Sequence, residues 1–135
     1  MLTLSIPNDI YEQILQQAIN EKPVESCGIL AGRNGRVKKF YPMTNTDQSK
    51  DHYMMVPKEQ FKVVKDIRRS GLKMLAVYHS HPETPARPSD EDIRLALTPD
   101  VVYVIVSLQN KEPVIKGFLI NEHNIKEVAI QIEVD

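Results

Sequence analysis

The sequence predicts an α/β (α+β) domain, a single mixed β-sheet flanked by helices. Three observations carry that prediction. Short segments from end to end of the chain either alternate apolar and polar residues or run continuously apolar over the length of a strand. Between them lie stretches whose apolar residues recur at helical spacing, from Asn8 to about Glu21 and again after Pro57. The chain has 135 residues, 41% of them hydrophobic. A chain of about 150 residues buries roughly 68–70% of its unfolded surface, so a core without disulfide staples is within reach. One domain spanning residues 1–135 is expected.

Leu2-Thr3-Leu4-Ser5-Ile6 alternates with period two and reads as the first strand, ended by Pro7. Asn8 is placed to cap a helix to about Glu21, with Ile10, Ile14, Leu15, Ala18 and Ile19 on one face. Cys27 to Ala31 has the pattern of a short buried strand, Asn34-Gly35 turns the chain, and Val37 to Met43 returns as its hairpin partner. Thr44 to His52 is polar and aperiodic, a loop. Tyr53 to Val56 is a brief apolar run, and Pro57 suits the first turn of a helix carrying Phe61, Val64, Ile67 and Arg68. Gly71 stands where a C-terminal helix cap belongs. Met74 to Tyr78 is nearly continuous apolar sequence and ends in His79-Ser80-His81-Pro82. Ser89 to Leu97 reads as a short helix with Ile93, Leu95, Ala96 and Leu97 as its apolar face. Val101 to Leu108 is the most strand-like segment, and Pro113 to Ile120 and Ile125 to Val134 complete two more strands.

Composition narrows the function classes. Lys plus Arg number 17 against 18 for Asp plus Glu, a formal charge of −1. That balance argues against a nucleic-acid binder, which needs a basic stripe to displace counterions. The local cluster Arg33-Asn34-Gly35-Arg36-Val37-Lys38-Lys39 reads as a solvated hairpin tip. A single cysteine, Cys27, excludes a disulfide framework and a four-cysteine zinc site. No segment approaches the ~18 apolar residues of a membrane span, and Met1 to Ile10 has no leader pattern, so the cytoplasm is the expected location. A (β/α)₈ barrel typically needs about 250 residues, so the metal motif is not read in barrel terms.

The chemistry is concentrated in His79-Ser80-His81-Pro82, followed by Ser89 and Asp92. Histidines at i and i+2 on one strand project to the same side, where their imidazoles are placed to pair as zinc ligands, although the same spacing recurs in amidohydrolases, cupins and lactamase-like folds and also without any metal. Asp92, in the first turn of the next helix, can return a carboxylate over that pair. Three protein ligands with an open fourth position form the catalytic rather than the structural zinc pattern. Ser89-Asp90-Glu91-Asp92 also reads as a helix capping box with Asp in place of Glu. The two readings of Ser89 are compatible, because a hydroxyl both accepts and donates. Cys27 reads as a small buried hydrophobe, and His52 and His123 as solvated loop or turn residues.

Glu25, His79-Ser80-His81-Pro82, Ser89 and Asp92, in that order and spacing, resemble the signature of the JAMM (MPN+) metallopeptidases. Pro23 to Gly32 is similar to the family's first strand, and Leu97 to Leu108 to the segment after the motif in its short bacterial members. No motif position departs from the pattern. The resemblance implies the JAMM/MPN fold, of cytidine-deaminase-like architecture, and one Zn2+ per chain held by His79, His81 and Asp92 with water completing the set. It makes Glu25 the general acid/base and Ser89 the donor to the oxyanion; spacing alone does not select Glu25 over Glu83 or Glu91. It also implies cleavage after the C-terminal Gly-Gly of a ubiquitin-like sulfur-carrier protein, releasing a cysteine, a short tail or a conjugated lysine. The family places an insertion that contacts the tail at Thr44 to Met55, and a tail paired with an exposed strand edge would be β-augmentation. Two other classes compete. A non-catalytic MPN-type scaffold has a broken motif, which this chain lacks. A zinc deaminase needs a P-C-x-x-C pair, which one cysteine excludes.

Overall fold

Residues 3–134 are described by the structure, a computed structural model; Leu2, the first position of the expected N-terminal strand, lies outside them. In chain order the elements are β1 (Thr3–Pro7), α1 (Asn8–Glu21), β2 (Cys27–Arg33), β3 (Arg36–Met43) and α2 (Pro57–Arg69). There follow β4 (Lys73–His81), α3 (Asp90–Leu95), β5 (Val102–Ser107), β6 (Val114–Asn121) and β7 (Asn124–Glu133). The strands form one mixed sheet in the order β1-β3-β2-β4-β5-β6-β7, and the sheet closes on itself. The parallel pairs are β4 with β5, β1 with β7, and β1 with β3; the rest are antiparallel. The β1–β3 seam is held by one register pair, Ser5 with Arg36. Closure gives every strand a neighbour on both sides, so no strand among the described residues is left wholly unpaired for a tail to join.

The two faces of the sheet are covered by different helices. Ile10, Ile14 and Ala18 of α1 pack on Leu4, Ile6, Leu30, Tyr78 and Val104. Each buried isoleucine contributes about 1.5–3 kcal/mol. The residues between these on β2 and β4 point the other way, as strand alternation requires. There Cys27, Ile29 and Ala31 pack with Met43, Met55 and Ile67, the last from α2. Ala86, Tyr103, Ile105, Phe118 and Ile120 continue that face beneath α3, with Ile93 and Ala96 packed against them.

Several boundaries differ from the sequence reading. Asn8 is the first helical residue rather than the cap, and Ile19 is 52% exposed at the rim of α1. The brief apolar run Tyr53 to Val56 lies in the loop, with Met55 bridged to Asn45 and buried in the second cluster while Met54 is 54% exposed. In α2 it is Val63 and Ile67 that meet the core, leaving Phe61 67% exposed. Helix α3 stops at Leu95, and Leu97 is exposed. The turns are as expected: Asn34 and Gly35 both have positive φ, 51° and 76°, as a type I′ hairpin requires. Gly71, at φ 69°, closes α2, and the Leu72 N–H reaches the Ile67 carbonyl at 3.1 Å.

Candidate metal centre

β4 emerges from the core with His79 and His81 on the face opposite α1, both buried. Asp92, at the third position of α3, comes back over them. The three donor atoms form a nearly equilateral triangle: His79 Nε2 to His81 Nε2 is 3.1 Å, His81 Nε2 to Asp92 Oδ2 is 3.0 Å, and His79 Nε2 to Asp92 Oδ2 is 3.2 Å. A tetrahedral ion with ligand bonds of ~2.0–2.1 Å needs donors about 3.3 Å apart, so the triangle has the size of one face of such a site. His79, His81 and Asp92 are the group that can hold a metal ion among the described residues.

The electrostatics suit the same occupant. The Pro85 carbonyl lies 2.8 Å from His81 Nδ1 and selects the tautomer protonated there, which leaves the Nε2 lone pair facing the triangle. His79 Nδ1 is buried without a hydrogen-bond partner, and the ring is fixed by stacking on Tyr53, with centroids 4.8 Å apart and planes at 26°. Burial pushes the His79 imidazole below its ordinary value, toward the neutral form a metal requires. Burial pushes the Asp92 carboxyl up, but the close imidazoles of His79 and His81, with the Ser89 N–H, outweigh it and hold the group well below the usual carboxylate range.

Glu25 precedes β2. Cys27 pairs with His79, and the same antiparallel alignment continues through Ser26 and Ser80: the Ser80 N–H donates to the Ser26 carbonyl at 3.0 Å. One step further sets Glu25 opposite His81, and paired residues share a face. Glu25 is buried, and its Oε1 has no hydrogen-bond partner. Burial, with the negative charges of Asp92, Asp51 and Glu91, pushes its carboxyl up to about 9. Ser89 caps α3. Its Oγ accepts the Asp92 N–H at 3.0 Å, and its own N–H donates to Asp92 Oδ2 at 2.9 Å, which completes the capping box. Those bonds leave the hydroxyl proton of Ser89 unassigned.

The sequence did not single out Asn45. Its Nδ2 donates to the Glu25 carbonyl (3.1 Å) and the His52 carbonyl (3.0 Å), and its Oδ1 accepts the N–H groups of Asp47 (3.1 Å) and Met54 (3.0 Å). Every donor and acceptor of this buried amide is used. The Glu25 N–H donates to the Ser49 carbonyl at 2.8 Å, so the loop of residues 44–56 grips Glu25 on both sides of its backbone. No residue pattern signals that contact in advance. His52 is not simply solvated: its ring nitrogens lie 3.0 Å from Asp47 and 3.8 Å from Glu91, linking this loop to α3. Cys27 is fully buried, its thiol pushed up to about 12 by burial, as befits a packing residue. Beside the triangle opens a cavity of about 490 Å³ lined by Met55, Met74, Val77 and Tyr103 together with His79 and Asp92.

Residues 7–120 match the family described as prokaryotic homologs of the JAB domain. The chain belongs to this family. Among curated JAB-domain relatives, the CysO-cysteine peptidase of Mycobacterium tuberculosis (strain H37Rv) is 37% identical, over 79% of this chain and 75% of that protein. The probable TtuB-protein conjugate cleaving protease of Thermus thermophilus is 35% identical over 97% of this chain and 84% of that one. A desampylase of Pyrococcus furiosus is 31% identical over 97% and 91%. The solution structure of a protein from Desulfitobacterium hafniense is 42% identical with a TM-score of 0.89, covering 98% of this chain and 94% of that one. A JAB1/MPN domain protein of Archaeoglobus fulgidus, 20% identical with a TM-score of 0.66 over 97% of this chain and 98% of that one, shares the fold. No helix among the described residues is long and apolar enough to cross a membrane.

Proposed function

We propose that this chain is a zinc-dependent peptidase that hydrolyses the amide bond after the C-terminal Gly-Gly of a ubiquitin-like sulfur-carrier protein. The observation that carries the reading is the donor triangle of His79, His81 and Asp92, buried and of tetrahedral dimensions. The relatives support the substrate class. They are named for a CysO-cysteine linkage, for TtuB-protein conjugates and for desampylation.

Zinc held by these three residues supplies Lewis acidity that makes water ionisable near pH ~7. The remaining tasks belong to the protein. Glu25 presents a buried carboxyl oxygen with no partner of its own, on the face shared by the two histidines. Held ionised by the charge of a cation in the triangle, it would accept the proton released by the attacking water and deliver it to the leaving amine, the role of a general acid/base. Ser89, whose oxygen already accepts the Asp92 N–H, keeps its O–H to donate to the oxyanion. A donor so placed is worth about 10²–10³ in rate. A Gly-Gly tail has no side chains to obstruct an approach past Tyr53, which lies on His79.

The test is intact-mass spectrometry of a carrier bearing a C-terminal extension, incubated with the chain with and without chelator. The expected result is a mass loss that places the cut after Gly-Gly, abolished by chelator and by Glu25→Gln. No cleavage by folded, zinc-loaded protein, on either linear or isopeptide-linked substrates, would replace this reading with that of a non-catalytic scaffold.

A further inference from the structure

The two histidines of the donor triangle are oriented in different ways. A metal-bound imidazole ordinarily donates its second ring nitrogen to a fixed acceptor, which sets the angle of the ring. His81 has such an acceptor in the Pro85 carbonyl, 2.8 Å from its Nδ1. His79 Nδ1 is buried and has none among the described residues. What meets the His79 ring instead is the face of Tyr53, at a centroid distance of 4.8 Å. Stacking fixes that ring only as well as the tyrosine is itself held.

Tyr53 stands in the loop of residues 44–56, where no helix or strand places it. The peptide groups on its two sides are bound by one side chain: Asn45 Nδ2 donates to the His52 carbonyl at 3.0 Å, and Asn45 Oδ1 accepts the Met54 N–H at 3.0 Å. The same Nδ2 donates to the Glu25 carbonyl at 3.1 Å. On the far side of Met54, its carbonyl accepts the Thr46 N–H at 2.8 Å, and Asn45 bridges to Met55. Asn45 is 2% exposed, so a lost bond leaves a buried polar group unsatisfied. We infer that Asn45 is the positioning residue of the centre: one amide holds Glu25 and, through Tyr53, sets the ring angle of His79. The acid/base carboxyl and a metal donor thereby share a single anchor. The task of Glu25 rests on the peptidase reading above; the coupling of Asn45 to His79 through Tyr53 does not.

The test uses the full chain carrying Asn45→Ala, Tyr53→Leu, both together, or Tyr53→Phe, with folding checked by circular dichroism. Two readouts need no substrate: the ring-proton NMR shifts of His79 under chelator, and zinc affinity by competition with a chromophoric chelator. An aromatic face stacked on an imidazole displaces the imidazole protons upfield. Asn45→Ala and Tyr53→Leu are each expected to lose that displacement and to bind zinc about 10–100-fold more weakly, the range for a group that orients a metal-bound histidine. Tyr53→Phe keeps a ring against His79 and is expected to match the wild type in both. The double variant is expected to bind zinc as Tyr53→Leu does, because Asn45 reaches His79 through that ring. At saturating zinc, Asn45→Ala is expected to cleave the extended carrier with a lower kcat than Tyr53→Leu, since it also releases Glu25; a displacement of about 1 Å costs up to about 10²-fold. His79 shifts unchanged in Asn45→Ala, or losses of zinc affinity that add in the double variant, overturn the proposal and reduce Asn45 to an anchor of the loop. Should Asn45→Ala fail to fold, Asn45→Ser, which keeps one hydroxyl in the same place, carries the same expectations. A wild type that binds zinc but cleaves no carrier overturns the peptidase reading and leaves the coupling to be decided by the first two readouts.

Discussion

Asp92 Oδ2 is claimed by three groups at once: the Ser89 N–H at 2.9 Å, His81 Nε2 at 3.0 Å and His79 Nε2 at 3.2 Å. One atom closes the capping box of α3 and also completes the donor triangle. Asp92→Asn separates the two tasks, because an amide oxygen still accepts the backbone N–H but brings no charge to a cation. The variant is expected to match the wild type in thermal unfolding under chelator and to retain much less metal by elemental analysis. Equal metal retention would reduce Asp92 to a cap. Glu25 gives a pH dependence. Its carboxyl, raised from 4.5 to about 9 in the metal-free fold, is protonated in both folded and unfolded states below 4.5 and in neither above about 9. Between those limits only the folded state keeps the proton, so rising pH erodes stability by about 1.4 kcal/mol per pH unit. Denaturant unfolding in chelator is therefore expected to show Glu25→Gln gaining on the wild type steadily from pH 5 to pH 9. Parallel curves would show that Glu25 is ionised in the fold. The approach of His79, His81 and Asp92 and the cap at Ser89 were legible because a strand and a helix start impose fixed spacing on them, whereas the Pro85 carbonyl on His81 and the Tyr53 ring on His79 were not. Asn45 was not, since its bond to Glu25 is made by an aperiodic loop folding back across the sheet.

The elements were readable to the extent that one face of each is decided by its own residues. β2 and β5 are apolar along nearly their whole length, and any burial of them yields a central strand. Helix α2 admits two apolar stripes, Phe61 with Val64 and Val63 with Ile67, both at helical spacing. Only the packing partner chooses between them, and Tyr41, Leu72 and Met74 take Val63 and Ile67. The hairpin of β2 and β3 contains the tightest backbone contact at a glycine. At Gly32 the register shifts, and a Cβ there would stand 1.9 Å from the Arg36 carbonyl oxygen, a backbone atom that cannot swing away. Gly32→Ala is expected to destabilise the fold by at least 1–3 kcal/mol, roughly the range for overpacking a filled site. A denaturation midpoint equal to that of the wild type would show that the hairpin relaxes freely.

On the scale of the whole molecule, the sheet, the flanking helices and the order of the strands' appearance follow from periodicity, but closure does not. Nothing local to β1 or β7 says that Thr3 to Pro7 will lie parallel to Ala129 to Glu133. The residues matched by the family, 7–120, omit nearly all of β1 and the whole of β7. A chain cut to those residues keeps His79, His81 and Asp92 yet loses Leu4, Ile6 and Val128 from the core. At about 1.5–3 kcal/mol each, those side chains rival a total stability of about 5–15 kcal/mol. The truncated chain is expected to unfold without a cooperative transition by circular dichroism; a sharp melt near that of the full chain would show that the seam is dispensable. The β1–β7 seam also sets an order in time. β1 is translated well before β7, the strand that zips along it, an interval on the order of ten seconds at ~5–20 residues per second. The ligand-bearing segments of β4 and α3 are all synthesised within that interval. In the cell the nascent chain therefore carries His79, His81 and Asp92 while its barrel is still open, and the emergence of β7 supplies the closing stitch.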